Sequence, residues 1–261
     1  MKLDLSHKRA LVCGSSDGLG LASAIEIAEL GGSVTLLSRS EERLAKALKK
    51  LPAKGFHSTI VCNLESSADV AALCKRLANA EKPYHILVNN SGGPVSGLPT
   101  ESKEEDYHKA FQAHFFAGMN LSKAVIPGMQ AEGYGRIINI TSVAAKQPVL
   151  NLPISNSVRG AIAEWSKTLS LEVAKFGITV NNVMPGYTET ERLNELFTGI
   201  ARQKGKASDE IAAGVIAEIP MGRFGKPEEF GAVVAFLVSP AASFVTGASI
   251  PVCGGWLKSV F

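Results

Sequence analysis

The sequence predicts an α/β protein built on a doubly wound parallel sheet in a single domain. Strand-like apolar runs alternate with helical periodicity from one end of the chain to the other. A glycine-rich stretch follows the first of these runs and opens the first helical segment. An apolar fraction of 46% and 25 glycines in 261 residues suit a compact protein with many tight turns. One α/β domain of this length is common and buries roughly three quarters of its unfolded surface.

The first half of the chain alternates strand and helix four times. Its strand-like runs are short and apolar, and they cover residues 9–13, 33–37, 59–62 and 86–89. Helical periodicity fills the intervals and the stretch that follows, at residues 18–30, 41–51, 68–78 and about 103–129. Because crossovers between parallel strands are right-handed, this alternation favours a parallel sheet with helices on both faces.

The second half continues the pattern, with one interruption. Further strands are predicted at residues 136–140, 178–183 and 248–252, and further helices at about 158–175 and 227–237. The region between, residues 186–220, is irregular and contains Gly199, Gly205 and Gly214. It follows a strand at the carboxyl edge of the sheet, where ligands of such folds bind. We therefore expect a single domain over residues 1–261, with a small, mobile and partly helical substrate lobe at residues 187–220.

Charge and composition exclude several classes of protein. The net charge is only +3 and is spread along the chain without a basic block, which argues against a nucleic-acid partner. No apolar run has the length of a membrane span, and the charged N-terminus lacks the apolar core of a signal peptide. The four cysteines form no close pair, which indicates buried thiols in a reducing cytoplasm and no metal site.

The glycine-rich stretch, residues 14–20, has the features of a nucleotide-binding turn. Gly14 allows a tight turn, Gly18 lets the backbone approach a pyrophosphate, and Gly20 lets the helix pack against the strand. Free amides at the start of the following helix then face the anion. We include Ser16 and Leu19 of the same turn among the expected cofactor-binding residues.

The Gly-x-x-x-Gly-x-Gly spacing resembles that of the short-chain dehydrogenase/reductase family. Other landmarks of the resemblance occur in the same order along nearly the whole chain, at Asn89-Asn90-Ser91-Gly92, Pro185-Gly186, Thr246-Gly247 and Gly254-Gly255. The resemblance implies a Rossmann fold, a nicotinamide cofactor and hydride transfer to or from a carbonyl or alcohol group. It places Asn90, Gly92, Pro185 and Gly186 beside that cofactor.

The residues after the second predicted strand favour NADP over NAD. A carboxylate at the end of that strand would hydrogen-bond the ribose of NAD and repel a 2′-phosphate, but Ser38 and Arg39 stand there. The Arg39 guanidinium can pair with a phosphate through two parallel hydrogen bonds. Asp17 acts in the opposite direction, because it stands where NADP-using relatives often carry a basic residue. Asn63, followed by Leu64, matches a family position that contacts adenine.

The family's catalytic residues are only partly retained. Ser142 matches the serine that hydrogen-bonds the substrate oxygen. Thirteen residues later, Ser155 stands at the position of the family's proton-donating tyrosine, and Arg159 at that of its lysine. Arg159 stays cationic and can hold the ribose and stabilise an oxyanion. His114 stands at the position of an asparagine that supports a water-linked proton path.

Two functions therefore remain open. The first is an NADP-dependent oxidoreductase that resembles 3-oxoacyl-carrier-protein reductases, whose proton comes from Ser155, His114 or water. Tyr187 is a further phenol near the expected site, with packing as its more frequent role. The second is a nucleotide-binding sensor or scaffold without redox chemistry, since tyrosine and lysine are both replaced. The family also implies a carbonyl or alcohol substrate, compatible with an acyl group, and a homodimer or homotetramer.

Overall fold

The computed structural model describes residues 1–259, and its framework is one parallel sheet. The strands are β1 (Arg9–Cys13), β2 (Ser33–Ser38), β3 (Ser58–Val61), β4 (Ile86–Asn89), β5 (Gly135–Ile140), β6 (Ile178–Pro185) and β7 (Ser249–Val252). Their spatial order is β3-β2-β1-β4-β5-β6-β7, and every neighbouring pair is parallel. The predicted doubly wound parallel sheet is confirmed.

Helices connect the strands and cover both faces of the sheet. They are α1 (Gly18–Glu29), α2 (Glu41–Leu48), α3 (Ser67–Ala78), α4 (Glu104–Ala110), α5 (Ala117–Ala131), α6 (Pro153–Val173), α7 (Glu191–Lys204), α8 (Ser208–Glu218) and α9 (Pro227–Val238). Hydroxyl side chains cap the starts of α2, α3 and α7, at Ser40, Ser66 and Thr190. A π-helical turn, Phe111–Phe116, joins α4 to α5, so the long helical region predicted at 103–129 is interrupted.

Two predicted boundaries change in the structure. Helix α6 begins at Pro153, five residues before the predicted start, because proline suits the first turn, where its missing amide is not needed. Ser155 therefore lies inside the first turn of α6 and does not cap it. The region 186–220, predicted as irregular, holds two helices, α7 and α8.

The core lies in two layers, one on each face of the sheet. Alternate residues of β1 point to opposite faces, so Ala10 and Val12 pack against α1 and α9, whereas Leu11 and Cys13 pack towards α3 and α5. Residues of the central strands are almost fully buried on both faces. Strands buried on both faces in this way are typical of a parallel sheet with helices on both sides.

The order of the strands fixes where a ligand can bind. From β1 the chain proceeds to β2 and β3 on one side, and then returns to place β4 on the other side of β1. This reversal leaves a crevice at the carboxyl ends of β1 and β4, which is where ligands bind in open parallel sheets. The segments that follow these two strands, from Gly14 and from Asn90, carry the predicted cofactor residues.

Candidate functional site

The glycine-rich turn is held against the end of β4. The side-chain amide of Asn90 donates to the Gly14 carbonyl oxygen at 3.0 Å. Gly14 has a φ of 55°, and a Cβ there would lie 2.7 Å from the Asn90 amide nitrogen. A Cβ on Gly20 would lie 2.2 Å from the Gly14 carbonyl oxygen, so only glycine lets α1 begin this close to β1. Both glycines and Asn90, which the sequence predicts as cofactor-binding residues, therefore lie together.

Ser15 fastens the same turn to β2, a role that the sequence alone did not indicate. Its buried hydroxyl donates to the Val12 carbonyl oxygen at 2.7 Å and accepts from the Leu37 amide at 3.0 Å. Ser16 and Leu19, the other expected cofactor residues of the turn, are half-buried. The turn is therefore rigid at its base, and the first amides of α1 begin at the crevice.

The residues expected at the adenine and ribose end lie beyond β2 and β3. Arg39 is 75% exposed and lies 3.7 Å from the Glu65 carboxylate. Asn63 turns its side-chain oxygen inward to accept from the Glu65 amide at 3.1 Å, which shapes the loop after β3. Leu64 is half-buried against the core layer that contains α3. The Arg39 guanidinium is thus accessible to an anionic ligand.

Pro185 and Gly186 lie at the carboxyl end of β6, close to the end of β7. The Gly186 amide donates to the Val252 carbonyl oxygen at 3.0 Å. A Cβ on Gly186 would lie 2.7 Å from the Cβ of Cys253, so the two segments touch through the glycine. This contact fixes the point at which the chain leaves the sheet towards α7.

A buried polar cluster lies between β4, the π-helical turn and α6. The hydroxyl oxygen of Ser91 lies 2.5 Å from Nδ1 of His114. His114 is buried within the π-helical turn, and Arg159 is buried on α6. Arg159 donates from Nη1 to the Ile140 carbonyl oxygen at 2.7 Å, at the end of β5. The sequence predicted His114 and Arg159 as site residues, and Ser91 joins them.

Burial lowers the pKa of both His114 and Arg159. Burial lowers the pKa of His114 well below its usual range, and the positive charge of Arg159 lowers it further. His114 is consequently neutral at pH 7. Burial also lowers the pKa of Arg159 to about 10, which leaves the guanidinium charged at pH 7. The cluster therefore combines one permanent cation with one neutral imidazole.

A small cavity lies between this cluster and two residues that the sequence predicts as cofactor-binding. Its volume is about 10 Å³, close to the minimum that holds one water molecule. Leu64, Asn90, His114 and Arg159 all line it, as do Asn89 and Asn139. Among residues 1–259, two buried atoms of the lining residues have no hydrogen-bond partner, Nε of Arg159 and Oδ1 of Asn89. Such atoms are expected to bind a water molecule or a ligand group.

Ser142 and Ser155 belong to the segment that runs from the end of β5 into the first turn of α6. Ser142 follows β5, is half-buried, and accepts a hydrogen bond from the Ala144 amide at 3.1 Å. The loop between the two serines is tied down by Asn156, whose side-chain amide donates to the Val149 carbonyl oxygen at 2.9 Å. Neither serine is among the residues that line the cavity around His114 and Arg159. The sequence indicated no role for Ser91, which contacts His114, or for Asn156, which holds this loop.

Comparison with known proteins supports a redox enzyme of the same size. Residues 14–257 match a family model described as enoyl-(acyl carrier protein) reductase. The putative ketoacyl reductase 1 of the granaticin polyketide synthase from Streptomyces violaceoruber is 36% identical, over 94% of this chain and 92% of its own length. The 3-oxoacyl-[acyl-carrier-protein] reductase FabG of Vibrio cholerae is 32% identical, over 97% of this chain and 98% of its own length.

Solved structures with a similar fold are also those of reductases. The L-sorbose reductase of Gluconobacter frateurii, complexed with NADPH and L-sorbose, is 31% identical with a TM-score of 0.93, and the match covers 100% of both chains. A variant of the actinorhodin polyketide ketoreductase solved with NADPH is 31% identical with a TM-score of 0.90, over 97% of this chain and 98% of that one. Within residues 1–259, no helix is long and apolar enough to span a bilayer.

Proposed function

The chain belongs to the short-chain dehydrogenase/reductase family, and from that premise we propose that it transfers a hydride between NADP(H) and a carbonyl or alcohol substrate. One observation carries the proposal. The Ser91–His114–Arg159 cluster lies at the same sheet edge as the glycine-rich turn. Asn90, which donates to the Gly14 carbonyl oxygen of that turn, lines the same cavity as the cluster. A proton-handling group and a cation thus accompany the nucleotide turn, although the family's tyrosine and lysine are replaced.

The residues at the crevice fit a dinucleotide. The close contacts at Gly14 and Gly20 leave the amides at the start of α1 free of side chains, as a pyrophosphate requires. The exposed Arg39 suits a 2′-phosphate, and NADPH-bound relatives support this choice over NAD. The unpartnered Nε of Arg159 is suited to a ribose hydroxyl. When bound, the cofactor would supply or accept the hydride, and all other contributions come from the chain.

Ser142 and Arg159 are the proposed stabilisers of charge on the substrate oxygen. In reduction, the carbonyl carbon gains a hydride and its oxygen gains a proton, so negative charge develops on the oxygen before protonation. A serine hydroxyl and a desolvated guanidinium both stabilise such charge. The Ile140 carbonyl holds the guanidinium of Arg159 at the end of β5, two residues before Ser142.

His114 is the proposed link in the proton path. A neutral imidazole can accept a proton at one ring nitrogen while it donates from the other, so it relays protons without being charged at rest. Ser91 contacts Nδ1 and thereby sets the tautomer and orientation of the ring. The proton finally reaches the substrate oxygen from the Ser155 hydroxyl or from water. Ser155 is half-buried in the first turn of α6, within the segment that begins at Ser142.

Tyr187 is left out of the proton path. Its ring stacks on Phe197 at a centroid distance of 6.4 Å and meets Trp256 edge-on at 5.6 Å. Burial raises the pKa of the phenol, with a further contribution from Glu218, so it is a weaker acid than an ordinary tyrosine. We assign it a packing role between the sheet and α7.

The substrate is proposed to be a small carbonyl or alcohol compound with an apolar portion, such as an acyl group. Four exposed apolar side chains lie on loops near the carboxyl edge of the sheet, Val95, Leu98, Leu150 and Met221. Two of these loops are joined, since the Gly97 amide donates to the Asn151 carbonyl oxygen at 3.0 Å. We propose residues 187–220, which contain α7 and α8, as the substrate lobe of a single domain.

Purified protein and a panel of ketones, 3-oxoacyl thioesters and sugars test the reaction, with NADPH oxidation followed at 340 nm. We expect turnover of at least one carbonyl class and a loss of about 100-fold in kcat for Ser142→Ala. Ser157→Ala is the matched control, because this exposed serine on α6 donates only to the Pro153 carbonyl. Turnover that Ser142→Ala leaves unchanged would contradict the oxyanion assignment.

The same experiment decides between the enzyme and the sensor. Absence of turnover with every substrate class, together with a rise in melting temperature on adding NADPH, would favour a nucleotide-binding sensor or scaffold.

Assembly is a separate proposal. Phe116 and Leu171, which are 43% and 73% exposed, give the α5 and α6 side of the molecule an apolar surface suited to a homodimer or homotetramer. The cytoplasmic location stays a prediction.

A further inference from the structure

One arginine connects three separate elements at the mouth of the crevice. Nη2 of Arg43, on α2, lies 3.3 Å from Oδ2 of Asp17 in the glycine-rich turn. The same nitrogen lies 2.7 Å from Oε2 of Glu191, the first residue of α7. The side chains of Arg43 and Asp17 are about half exposed. The arrangement is not explained by the packing of the core, since none of the three residues is buried.

Asp17 occupies a position where its charge opposes the proposed cofactor. Its Oδ1 accepts a hydrogen bond from the Gly18 amide at 2.8 Å, at the start of α1. A free carboxylate here would repel a bound pyrophosphate and a 2′-phosphate alike. The 2′-phosphate adds up to two negative charges to the ligand, so this repulsion would weaken the binding of NADP(H) more than that of NAD(H). A chain that carries Asp17 in this turn needs a compensating cation in order to favour NADP(H).

We propose that Arg43 is a specificity-determining residue, whose ion pair with Asp17 lets the glycine-rich turn accept a 2′-phosphorylated dinucleotide. The inference rests on the proposed function and deepens its cofactor choice. It assigns the discrimination to two arginines: Arg39 contacts the phosphate directly, whereas Arg43 acts through Asp17. Arg43 is thus a positioning and charge-compensating residue rather than a catalytic one.

The second contact of Arg43 has a different consequence. Glu191 begins α7, and the methyl group of the adjacent Thr190 would lie 3.5 Å from a Cβ on Gly18. Arg192 crosses to the other side of the crevice, where its Nη2 donates to the Pro94 carbonyl oxygen at 2.7 Å. These contacts fix the start of α7 beside Gly18, where the part of the ligand that NADPH and NADH have in common is proposed to bind. Breaking the Glu191 contact should therefore affect NADPH and NADH equally.

A double-mutant cycle tests the proposal. The dissociation constants of NADPH and NADH are measured by equilibrium titration, with nucleotide fluorescence as the signal. We expect Arg43→Ala to weaken NADPH binding about fivefold and NADH binding less than twofold. Asp17→Asn in the Arg43→Ala background should restore NADPH binding to within about twofold of the wild type. Glu191→Gln should leave the ratio of the two dissociation constants unchanged. Lys46→Ala is the control, since it removes another α2 cation paired only with Glu42.

Three outcomes would overturn the proposal. These are an equal loss of NADPH and NADH affinity in Arg43→Ala, unchanged NADPH affinity in that variant, and failure of Asp17→Asn to restore it. Melting temperatures of the variants identify a loss caused by misfolding. The titration needs no turnover, so a protein that binds NADPH but reduces nothing contradicts the proposed reaction and leaves this proposal standing. A wild-type protein that binds neither nucleotide overturns both.

Discussion

Arg159 donates to the carbonyl oxygen of Ile140 at 2.7 Å, which ties a buried cation on α6 to the last residue of β5. No carboxylate among residues 1–259 forms an ion pair with this guanidinium, and its Nε has no protein partner. A buried charge without a counter-ion destabilises a fold. We infer that Arg159 is retained for what it binds rather than for stability.

The first prediction follows from this unpaired charge. Replacing Arg159→Met keeps a flexible, unbranched stem but is shorter and removes the charge, so the free energy of unfolding of the ligand-free protein should rise by about 1 kcal/mol. The same variant should bind NADPH at least tenfold more weakly, because the contact with the ribose is lost. Urea denaturation and NADPH titration measure the two effects. A variant that is both less stable and equally tight in binding would contradict the inference.

The second prediction concerns proton transfer through His114. Replacing His114→Ala should lower kcat by about 100-fold and change the dissociation constant of NADPH by less than twofold. Ser91→Ala should give a smaller loss, because the ring stays in place but loses the contact that sets its tautomer. His108→Ala is the control, since this histidine on α4 is exposed and pairs only with Glu104. Equal kcat values for the His114 and His108 variants would remove His114 from the proton path.

The third prediction is a pH dependence of stability. The pKa of His114 in the folded protein lies well below that of the unfolded chain, mainly because the ring is buried. Its contribution to stability is therefore fully present above the unfolded pKa of about 6.5, and is lost as the pH falls below that value. The loss is at most about 1.4 kcal/mol per pH unit for one group.

Urea denaturation at pH 7.5, 6.0 and 5.0 measures this effect, with His114→Asn as the comparison. The wild type should lose more stability than the variant as the pH falls. Burial also lowers the pKa of His85, but His85 is present in both proteins and cancels in the difference. Parallel pH curves for the two proteins would show that His114 titrates normally.

The sequence predicted the sheet because β1, β4 and β5 are short, largely apolar runs that alternate with helical segments, and their burial on both faces leaves few alternative folds. It predicted the nucleotide turn because Gly14 and Gly20 tolerate contacts that no side chain could, and spacing alone reveals such positions. Both features depend on residues that are near neighbours along the chain.

The polar cluster could not be predicted in the same way. Ser91 and His114 are 23 residues apart, and a π-helical turn, which shifts the helix register, brings the imidazole to the serine. The sequence predicts too late a start for α6 because Leu152, the residue that precedes the helix, supplies no polar cap of the kind that usually marks a helix start. Likewise, Asp17 and Arg43 are 26 residues apart along the chain, and only the distance between their side chains shows that their charges compensate.

The fourth prediction tests the close contact at the nucleotide turn. Replacing Gly20→Ala places a methyl group 2.2 Å from the Gly14 carbonyl oxygen, so the free energy of unfolding should fall by about 2 kcal/mol or more. Gly199→Ala, inside α7, meets no atom within 4 Å and should stabilise the protein by up to about 1 kcal/mol. Urea denaturation of both variants gives the comparison. Similar values for the two would show that the turn can move away from α1.

The last prediction asks whether the replaced pair limits the reaction. Installing Ser155→Tyr with Arg159→Lys gives α6 a phenol and an amine four residues apart, and the nearby ammonium group lowers the pKa of a phenol. Because a stronger acid would then be available at the first turn of α6, we expect kcat for the best carbonyl substrate to rise at least tenfold. Ser155→Phe with Arg159→Lys supplies the same ring without the hydroxyl and should give no gain. An equal gain in both double variants would assign the effect to packing of the ring, and kcat values from NADPH oxidation at 340 nm distinguish the two results.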